Sequence, residues 1–302
     1  MKWAGVMPAI TTPFTDDDRV DLDFVKMHVG WLVDNGATGI VALGSLGEGN
    51  TLTFDEKCTI LEACVEGVAD RVPVLPGVAS LSTSAAVRLA KAAEGIGCAG
   101  LMVLPPYVYR GDWRETREHF AAVFDATELP CMLYNNPIAY GTDVLPEQVE
   151  TLAGDFDNLH AVKESSGDVR RITAIRSRCG DRLAVFVGLD DLIVEGVRMG
   201  AVGWIAGLVN ALPRESVVLF DHAMRGEMDE AFDLYRWFLP LLRLDTGPKF
   251  VQLIKLVQQE VGMGSENVRA PRLRLEGAER EEALALIRGA LVSRARKVKS
   301  QQ

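Results

Sequence analysis

Short apolar runs alternate with longer amphipathic segments along the first 211 residues of the chain. The apolar runs lack strict alternation with polar residues, which is typical of strands covered on both faces of a parallel sheet. Each run is followed by a turn and by a segment whose apolar residues recur every three or four positions, as in an amphipathic helix. The pattern predicts eight strands, at residues 6–11, 39–43, 73–77, 100–104, 130–134, 159–162, 183–187 and 201–206.

Capping residues support helices between these strands. Thr53 with Glu56, and Asp112 with Glu115, have the spacing of a capping box, in which two side chains satisfy free backbone N–H groups at a helix N-terminus. Gly200 closes the last segment of this part, as glycine often does at a helix C-terminus. The predicted helices are 21–35, 58–69, 82–94, 112–126, 146–153, 168–178 and 190–199.

Eight strand–helix units in succession predict an α/β fold, the closed (β/α)8 TIM barrel. The alternative is an open doubly wound sheet, which wants a glycine-rich turn after its first strand; the first turn here, TTPFTDDDRVD, has no glycine. Beyond about residue 212 the strand pattern stops, and helices are predicted at 215–225, 228–242, 247–262 and 276–294. We therefore expect a catalytic barrel over residues 1–211 and a C-terminal helical bundle over residues 212–302.

Composition narrows the class of protein. The formal net charge of −10 argues against a nucleic-acid partner and against a basic membrane-binding patch. No apolar run reaches the roughly eighteen residues that a membrane span requires. The five cysteines lack CxxC spacing, so we expect small core residues in a reducing cytoplasm. The four histidines are scattered along the chain, and we expect no metal site.

One lysine, in the run LHAVKESSGD at residues 159–168, is a candidate for chemistry. Lys163 follows an apolar strand at its inner end, where burial disfavours a charged ammonium. A lysine in that setting can attack a 2-oxo acid as the neutral amine and form a Schiff base. From this residue alone, the alternatives are a lysine at the solvent end of the strand or a lysine paired with Glu164.

The ends of other predicted strands offer the remaining groups that Schiff-base chemistry needs, a proton shuttle and a clamp for the carboxylate. Tyr134 ends the fifth strand and Tyr107 follows the fourth, so a tyrosine-hydroxyl relay is available, although either residue could be a structural tyrosine at the barrel rim. The turn GSLGEG at 44–49 could hold a carboxylate on its backbone N–H groups, or it could be a plain glycine-rich turn.

Three motifs together carry a resemblance to a known family. GSLGE at 44–48, LYNNP at 133–137 and VKES at 162–165 occur in this order, each at a predicted strand end. With them the chain resembles the N-acetylneuraminate lyase/dihydrodipicolinate synthase family of class I Schiff-base enzymes, over nearly all of its length. The resemblance implies a lyase that works as a homotetramer. It needs no cofactor, because the lysine imine serves as the electron sink.

The resemblance also implies roles for individual residues. Lys163 would form the imine with the substrate, and Tyr134 would be the acid/base beside it. Ser45 and Tyr107 would complete a hydroxyl relay, with Tyr107 reaching the site of a neighbouring subunit. The substrate-binding residues would be Ser45 and Leu46 through their backbone amides, Ile205 through its carbonyl, Gly188 at the end of the seventh strand, and Ala139.

Two positions bear on which member of the family the chain resembles. Leu46 stands where dihydrodipicolinate synthases carry a second Thr, and Ala139 stands where they carry an Arg that grips a distal carboxylate or the incoming semialdehyde. Without that guanidinium, a bidentate charge-assisted contact is lost. Together with Ile138 and Tyr140, these residues predict an apolar distal pocket, which disfavours a substrate with two carboxylates.

The chain most resembles the 1-pyrroline-4-hydroxy-2-carboxylate deaminases, on GSLGEGN, YNNPIAYGTD and the stretch 236–273. This resemblance implies deamination and dehydration of the cyclic imine to 2,5-dioxopentanoate and ammonia. The alternative within the family is a 4-hydroxy-tetrahydrodipicolinate synthase or another pyruvate-dependent aldolase. A non-enzymatic alternative is a barrel that binds a 2-oxo acid for regulation.

Overall fold

Eight short parallel strands form the centre of the protein in the computed structural model, which describes the backbone of residues 1–299 and the side chains of residues 1–293. The strands are β1 (Gly5–Pro8), β2 (Ile40–Ala42), β3 (Val74–Val78), β4 (Leu101–Val103), β5 (Cys131–Asn135), β6 (Leu159–Glu164), β7 (Ala184–Val187) and β8 (Gly203–Ala206).

The strands form a barrel. Seven neighbouring pairs run in the order β1-β8-β7-β6-β5-β4-β3-β2, and every pair is parallel. The remaining side is joined by a parallel bridge between Ala9 and Val41, where the Ile10 N–H donates to the Val41 carbonyl at 2.8 Å. The eight predicted strands and the predicted (β/α)8 barrel are therefore confirmed.

Twelve α-helices are present among residues 1–299. The first eight are α1 (Leu22–Asp34), α2 (Phe54–Val68), α3 (Thr83–Ile96), α4 (Trp113–Phe124), α5 (Pro137–Tyr140), α6 (Pro146–Asp155), α7 (Arg170–Cys179) and α8 (Ile193–Arg198). The last four are α9 (Pro213–Arg225), α10 (Met228–Leu242), α11 (Phe250–Glu260) and α12 (Gly277–Lys299). The capping boxes predicted at Thr53 and Asp112 are present and begin α2 and α4.

The core lies inside the ring of strands and between the strands and the helices. Strands β2 to β5 are buried at every position, as expected of strands with packing on both faces. The amphipathic helices bury one stripe each; in α1 this stripe is Val25, Val29 and Leu32. This packing fixes the ends of the strands, so the loops that follow their carboxyl ends can hold site residues in defined positions.

The structure corrects several predicted boundaries. Strand β6 continues through Lys163 and Glu164, instead of ending before Lys163, because these two residues pair with Tyr134 and Asn135 of β5. The predicted helix 190–199 begins as a 3-10 turn, Asp190–Leu192, and becomes α-helical only in α8. The short helix α5 was not predicted, since four residues are too few for a periodic pattern.

The C-terminal helices pack against the barrel and against one another. Helix α9 contacts β1, α10 contacts α9 and α12, and α11 contacts α12. The division of the chain at residue 211 into a barrel and a separate helical bundle stays a prediction. Within the described residues, we find no helix with the length and apolar character needed to cross a membrane.

Candidate active site

A cavity of about 710 Å³ opens at the carboxyl ends of the strands. Active sites of (β/α)8 barrels lie at this face, where loops from several strands converge. All eight residues predicted from the sequence line this cavity, namely Lys163, Tyr134, Ser45, Tyr107, Leu46, Gly188, Ile205 and Ala139. Their individual roles stay predictions.

Lys163 extends from β6 into the cavity and is only 6% exposed. Its direct neighbour across the sheet is Tyr134 of β5, and the Lys163 Nζ lies 4.1 Å from the centroid of the Tyr134 ring. None of the ion pairs among the described side chains involves Lys163. The amine is therefore buried against the aromatic face of Tyr134, a setting in which a lysine can serve as a nucleophile.

Glu164 does not pair with Lys163. Its carboxylate accepts from the Asn135 Nδ2 at 3.1 Å and from the Ser166 N–H at 2.6 Å, on the opposite side of the strand. The Asn135 Oδ1 accepts in turn from the Val144 N–H at 2.9 Å. Burial raises the pKa of Glu164, although these hydrogen bonds counteract the shift. This buried network ties β5 to β6 and fixes the register that places Lys163 next to Tyr134.

The Tyr134 hydroxyl has a fixed position. It accepts a hydrogen bond from the Asn136 Nδ2 at 3.0 Å. The Asn136 Oδ1 also accepts from the Ala139 N–H at 3.0 Å and so caps the short helix α5. Asn136 thus links the phenol to the loop that follows β5. The contribution of Asn136 was not recognised in the sequence, where it was only part of the LYNNP motif.

Tyr140 belongs to the site through its hydroxyl, which hydrogen-bonds to the Ser45 Oγ. Its ring lies 5.2 Å from the Tyr107 ring and 5.7 Å from the Tyr134 ring, measured between centroids. Burial and the two neighbouring phenols raise the pKa of Tyr140 well above its ordinary value. Burial likewise raises the pKa of Tyr107. The expectation that Tyr140 is merely part of an apolar wall is therefore wrong.

Tyr107 lines the cavity of its own chain, next to Tyr140. The rings of Tyr107 and Tyr134 both pack against Tyr140, whose hydroxyl hydrogen-bonds to Ser45; a proton relay through these hydroxyl groups stays a prediction. That Tyr107 also reaches the site of a neighbouring subunit stays a prediction.

The turn after β2 has an unusual backbone. Leu43 and Glu48 have φ values of 62° and 53°, in the left-handed region that residues with a Cβ rarely occupy. A Cβ at Gly47 would lie 2.8 Å from the Ile10 carbonyl oxygen, so only glycine fits there. Strained backbone of this kind persists where the surrounding structure holds it, and it is frequent at functional sites.

The amides of Ser45 and Leu46, at the tip of this turn, are free to bind an anion. Neither N–H donates to a hydrogen bond recorded within residues 1–299. Both residues line the cavity. The two adjacent N–H groups suit the carboxylate of a substrate, as the sequence predicted.

A glycine makes room for Lys163. A Cβ at Gly188, just after β7, would lie 2.6 Å from the Lys163 Cε and 2.9 Å from its Cγ. No real side chain tolerates such distances without displacing its neighbour. Gly188 therefore lets the stem of Lys163 pass the end of β7.

Two acids lie near Lys163 on the side of β7 and β8. Asp190 is fully buried and accepts from the Trp204 Nε1 at 3.0 Å and from the Leu208 N–H at 2.8 Å, which fixes the end of β8. Burial raises the pKa of Asp190 to about 6, and the hydrogen bonds and the Lys163 charge counteract this. The second acid is Asp245, which lines the cavity from the turn after α10.

Asp245 and Arg272 were not predicted as site residues. Both line the cavity, although they come from the C-terminal quarter of the chain. The signal that could have found Asp245 is LDTGP at 244–248, a turn pattern between two helices. Arg272 lies 3.7 Å from the buried Glu48 carboxylate, so the pocket wall is more polar than the sequence indicated.

Comparison with known proteins shows which sequences this chain resembles. The model of the dihydrodipicolinate synthetase family matches residues 2–290. A 4-hydroxy-tetrahydrodipicolinate synthase of Clostridium perfringens is 32% identical over 286 residues, which cover 94% of this chain and 95% of the relative. An enzyme of the same name from Halorhodospira halophila is 34% identical and covers 92% of this chain and 94% of its own length.

Solved structures show the same fold. A dihydrodipicolinate synthase from Bacillus anthracis superimposes with a TM-score of 0.91 at 29% identity, over 95% of this chain and 98% of the other. YagE, a protein of the same family from E. coli K12 whose structure is a complex with pyruvate, superimposes with a TM-score of 0.89 at 26% identity, over 95% and 98% of the two chains.

The family model and the curated relatives span nearly the whole chain, and the structural matches extend over the whole barrel. The resemblance seen in the three motifs is therefore confirmed at the level of the family. The chain belongs to the dihydrodipicolinate synthetase family, and it is a class I enzyme, a lysine Schiff-base lyase of that family.

Proposed function

We propose that Lys163 forms an imine with a small 2-oxo acid of the pyruvate class. The observation that carries this proposal is the buried Lys163 amine, 4.1 Å from the Tyr134 ring in the cavity at the mouth of the barrel. No carboxylate of the described side chains forms an ion pair with this amine, and the amine faces a space large enough for a substrate.

The other residues take the roles that this chemistry requires. The Ser45 and Leu46 amides bind the carboxylate of the acid, which places its C2 carbon at Lys163. Tyr134 moves the protons of the carbinolamine and of C3, and Ser45 and Tyr140 pass them along the hydroxyl cluster. The reaction needs no cofactor, because the protonated imine accepts the electron pair from C3.

The first candidate reaction joins pyruvate to an aldehyde, or splits the product. It is supported by the relatives, which are named 4-hydroxy-tetrahydrodipicolinate synthase, and by the pyruvate bound to YagE. These names favour the synthase or aldolase reaction over the deaminase that the sequence motifs indicated.

The second candidate is deamination and dehydration of 1-pyrroline-4-hydroxy-2-carboxylate. It is supported by Leu46 and Ala139, which line the cavity where a synthase has a Thr and an Arg. Attack of Lys163 on the ring C=N carbon releases the ring nitrogen as an amine. Loss of a C3 proton and of the C4 hydroxyl removes water. Tautomerisation gives an imine at C5, and hydrolysis of the C5 and lysine imines yields ammonia and 2,5-dioxopentanoate, with net uptake of one water.

Borohydride reduction tests the imine common to both candidates. We expect incubation with pyruvate or with the pyrroline, followed by reduction, to add the mass of the reduced acid to Lys163. Lys163→Ala should abolish the adduct and turnover, while Lys91→Ala, which changes an exposed lysine on α3, should change neither. An unmodified Lys163, or full turnover in Lys163→Ala, would overturn the proposal.

Three assays run in parallel separate the reactions. Turnover of pyruvate with aspartate semialdehyde supports the synthase, pyruvate turnover with other aldehydes supports an aldolase, and ammonia release from the pyrroline supports the deaminase. Imine formation without turnover in any of these assays would exclude all three reactions. The resemblance further leads us to expect a cytoplasmic homotetramer, which light scattering of the purified chain would test.

A further inference from the structure

Asp245 reaches the cavity from outside the barrel. It ends the 3-10 turn Arg243–Asp245, which follows α10. Its carboxyl group packs against Gly207, the residue after β8, where a Cβ would lie 2.6 Å from the Asp245 Oδ2. The missing side chain at Gly207 thus provides the space that the carboxyl group occupies.

One oxygen of this carboxyl group has no partner. The Asp245 Oδ1 is buried and forms no hydrogen bond with any described residue. The neighbouring Asp190 accepts from Trp204, Gly207 and Leu208, and its oxygens form no hydrogen bond with the Asp245 Oδ1. A buried polar atom without a hydrogen bond is costly, and in native proteins it commonly has a functional reason.

The charges around Asp245 favour its protonated form. Burial raises its pKa well above the ordinary value, and the negative charges of Asp190 and Asp191 add to the shift, while the charge of Lys163 opposes it. A protonated carboxyl group can both donate and accept a hydrogen bond. Such a group suits a neutral hydroxyl or carbonyl oxygen better than it suits a second carboxylate.

The order of strands gives Asp245 a defined side of the cavity. Tyr134 lies on β5 and Lys163 on β6. Gly207 lies beyond β7, directly after β8, and the Asp245 carboxyl group packs against it. Lys163 is therefore flanked by Tyr134 on one side and by Asp245 on the other. The amides that suit the substrate carboxylate lie elsewhere, after β2, so Asp245 is available for the far end of the substrate.

We propose that Asp245 determines specificity by hydrogen-bonding the oxygen on C4 of a 4-hydroxy-2-oxo acid held as an imine on Lys163. This inference rests on the proposed function and deepens it. Both candidate reactions place an oxygen on C4, as the new hydroxyl of an aldol product or as the hydroxyl of the opened pyrroline. Asp245 would select such acids over unsubstituted ones.

A pair of acids that differ only at C4 tests the assignment. Borohydride trapping is titrated with 4-hydroxy-2-oxobutanoate and with 2-oxobutanoate, and the adduct mass identifies the bound acid. In the wild type we expect about a tenfold lower half-saturation concentration for the hydroxylated acid, the effect of one hydrogen bond. Asp245→Ala should remove this preference. The half-saturation concentration for 2-oxobutanoate should stay within about twofold of the wild-type value, since this acid has no oxygen on C4.

Two further variants complete the test. Asp245→Asn replaces the carboxyl group with an amide, which can also donate and accept a hydrogen bond, so this variant should keep much of the preference for the hydroxylated acid. Asp229→Ala changes an exposed acid on α10 and should behave as the wild type. If Asp245→Ala does not fold, Gly207→Ala replaces it, because the added Cβ displaces the Asp245 carboxyl group and should reduce the preference.

The outcomes separate this inference from the proposed function. Equal half-saturation in the wild type, or an unchanged preference in a folded Asp245→Ala or Gly207→Ala variant, overturns the role of Asp245 while the imine stands. Loss of trapping with both acids in folded Asp245→Ala places Asp245 in imine formation and also overturns its role in specificity. If the wild type traps no acid at all, the proposed function itself is wrong.

Discussion

At the scale of single residues, the site depends on a lysine and a tyrosine that neighbouring strands place side by side. The Tyr134 ring lies beneath the Lys163 amine, whereas the Tyr134 hydroxyl is directed to Asn136. The two parts of the tyrosine therefore have separate contacts: the ring packs against the lysine, and the hydroxyl is the group that we propose moves protons.

Tyr134→Phe tests this separation. It keeps the ring but removes the hydroxyl, so we expect turnover to fall by about 10²–10⁴, the usual effect of losing a general acid/base. Borohydride-trapped imine should still accumulate at long incubation. Tyr109→Phe is the matched control, because the Tyr109 hydroxyl contacts only the surface residue Glu115 among the described residues. Turnover of Tyr134→Phe within threefold of the wild type would contradict the role of the hydroxyl.

At the scale of elements, the ends of the strands decide what the site can hold. Strand β6 carries Lys163 as its fifth residue, and the glycine after β7 leaves space for the lysine stem. The turn after β2 keeps two residues in left-handed backbone and exposes two amides to the cavity. These local features are specific to the carboxyl ends, where parallel strands bring their loops together.

Gly188→Ala tests the space at the end of β7. The new Cβ would clash with the Ser165 Oγ and would lie 2.6 Å from the Lys163 Cε, so both side chains must shift. We expect a free energy of unfolding lower by about 1–3 kcal/mol, as for other overpacked cores, and strongly reduced trapping of pyruvate. Gly154→Ala, on α6 with no neighbouring atom within 4 Å, is the control and should leave trapping intact. Urea unfolding and the trapping assay measure both effects, and normal trapping in Gly188→Ala would show that the space is dispensable.

At the scale of the whole molecule, a buried ion pair joins the first part of the chain to the last. The Lys255 Nζ on α11 lies 2.5 Å from the Glu48 Oε1 in the turn after β2, and both side chains are almost completely buried. The second Glu48 oxygen accepts from the Arg269 N–H at 3.0 Å, and Lys255 also donates to the Asn267 carbonyl at 2.6 Å. The C-terminal segments thus hold the turn that is to bind the substrate carboxylate.

Lys255→Met tests this connection. It leaves the Glu48 carboxylate buried without its main counter-charge, so we expect the free energy of unfolding to fall by about 3–5 kcal/mol. Affinity for pyruvate in the trapping assay should fall as well, since the turn loses its support. Lys249→Met breaks the half-exposed pair with Glu279 and should cost less than about 1 kcal/mol. Denaturant unfolding of both variants gives the comparison, and similar small losses would show that the buried pair is not a structural link.

Much of the fold follows from local sequence patterns. Apolar runs without strict alternation and helical periods located all eight strands and every helix between them except the four-residue α5, because each pattern reflects burial of that segment alone. Capping pairs such as Thr53 with Glu56 act over three residues and were equally clear. Motifs at the strand ends indicated the family and contain four of the predicted residues that line the cavity, namely Ser45, Leu46, Tyr134 and Lys163.

Other features depend on contacts between distant segments. The extension of β6 through Lys163 depends on its pairing with Tyr134 of β5, and the contact of Tyr140 with Ser45 depends on a helix of only four residues. Asp245 has no local pattern that marks it as part of the site, and it faces the cavity only because α10 packs against the barrel.

The sequence by itself therefore determined the barrel, the family and the position of the lysine along the chain, since these depend on periodicity and on short motifs. Only the tertiary structure decided which other polar groups line the cavity with that lysine, among them Tyr140 and Asp245, and that the buried Glu48–Lys255 pair holds the turn after β2. The physical reason is that hydrogen bonds and burial between residues 95 to 207 positions apart arise from packing, which no local pattern encodes.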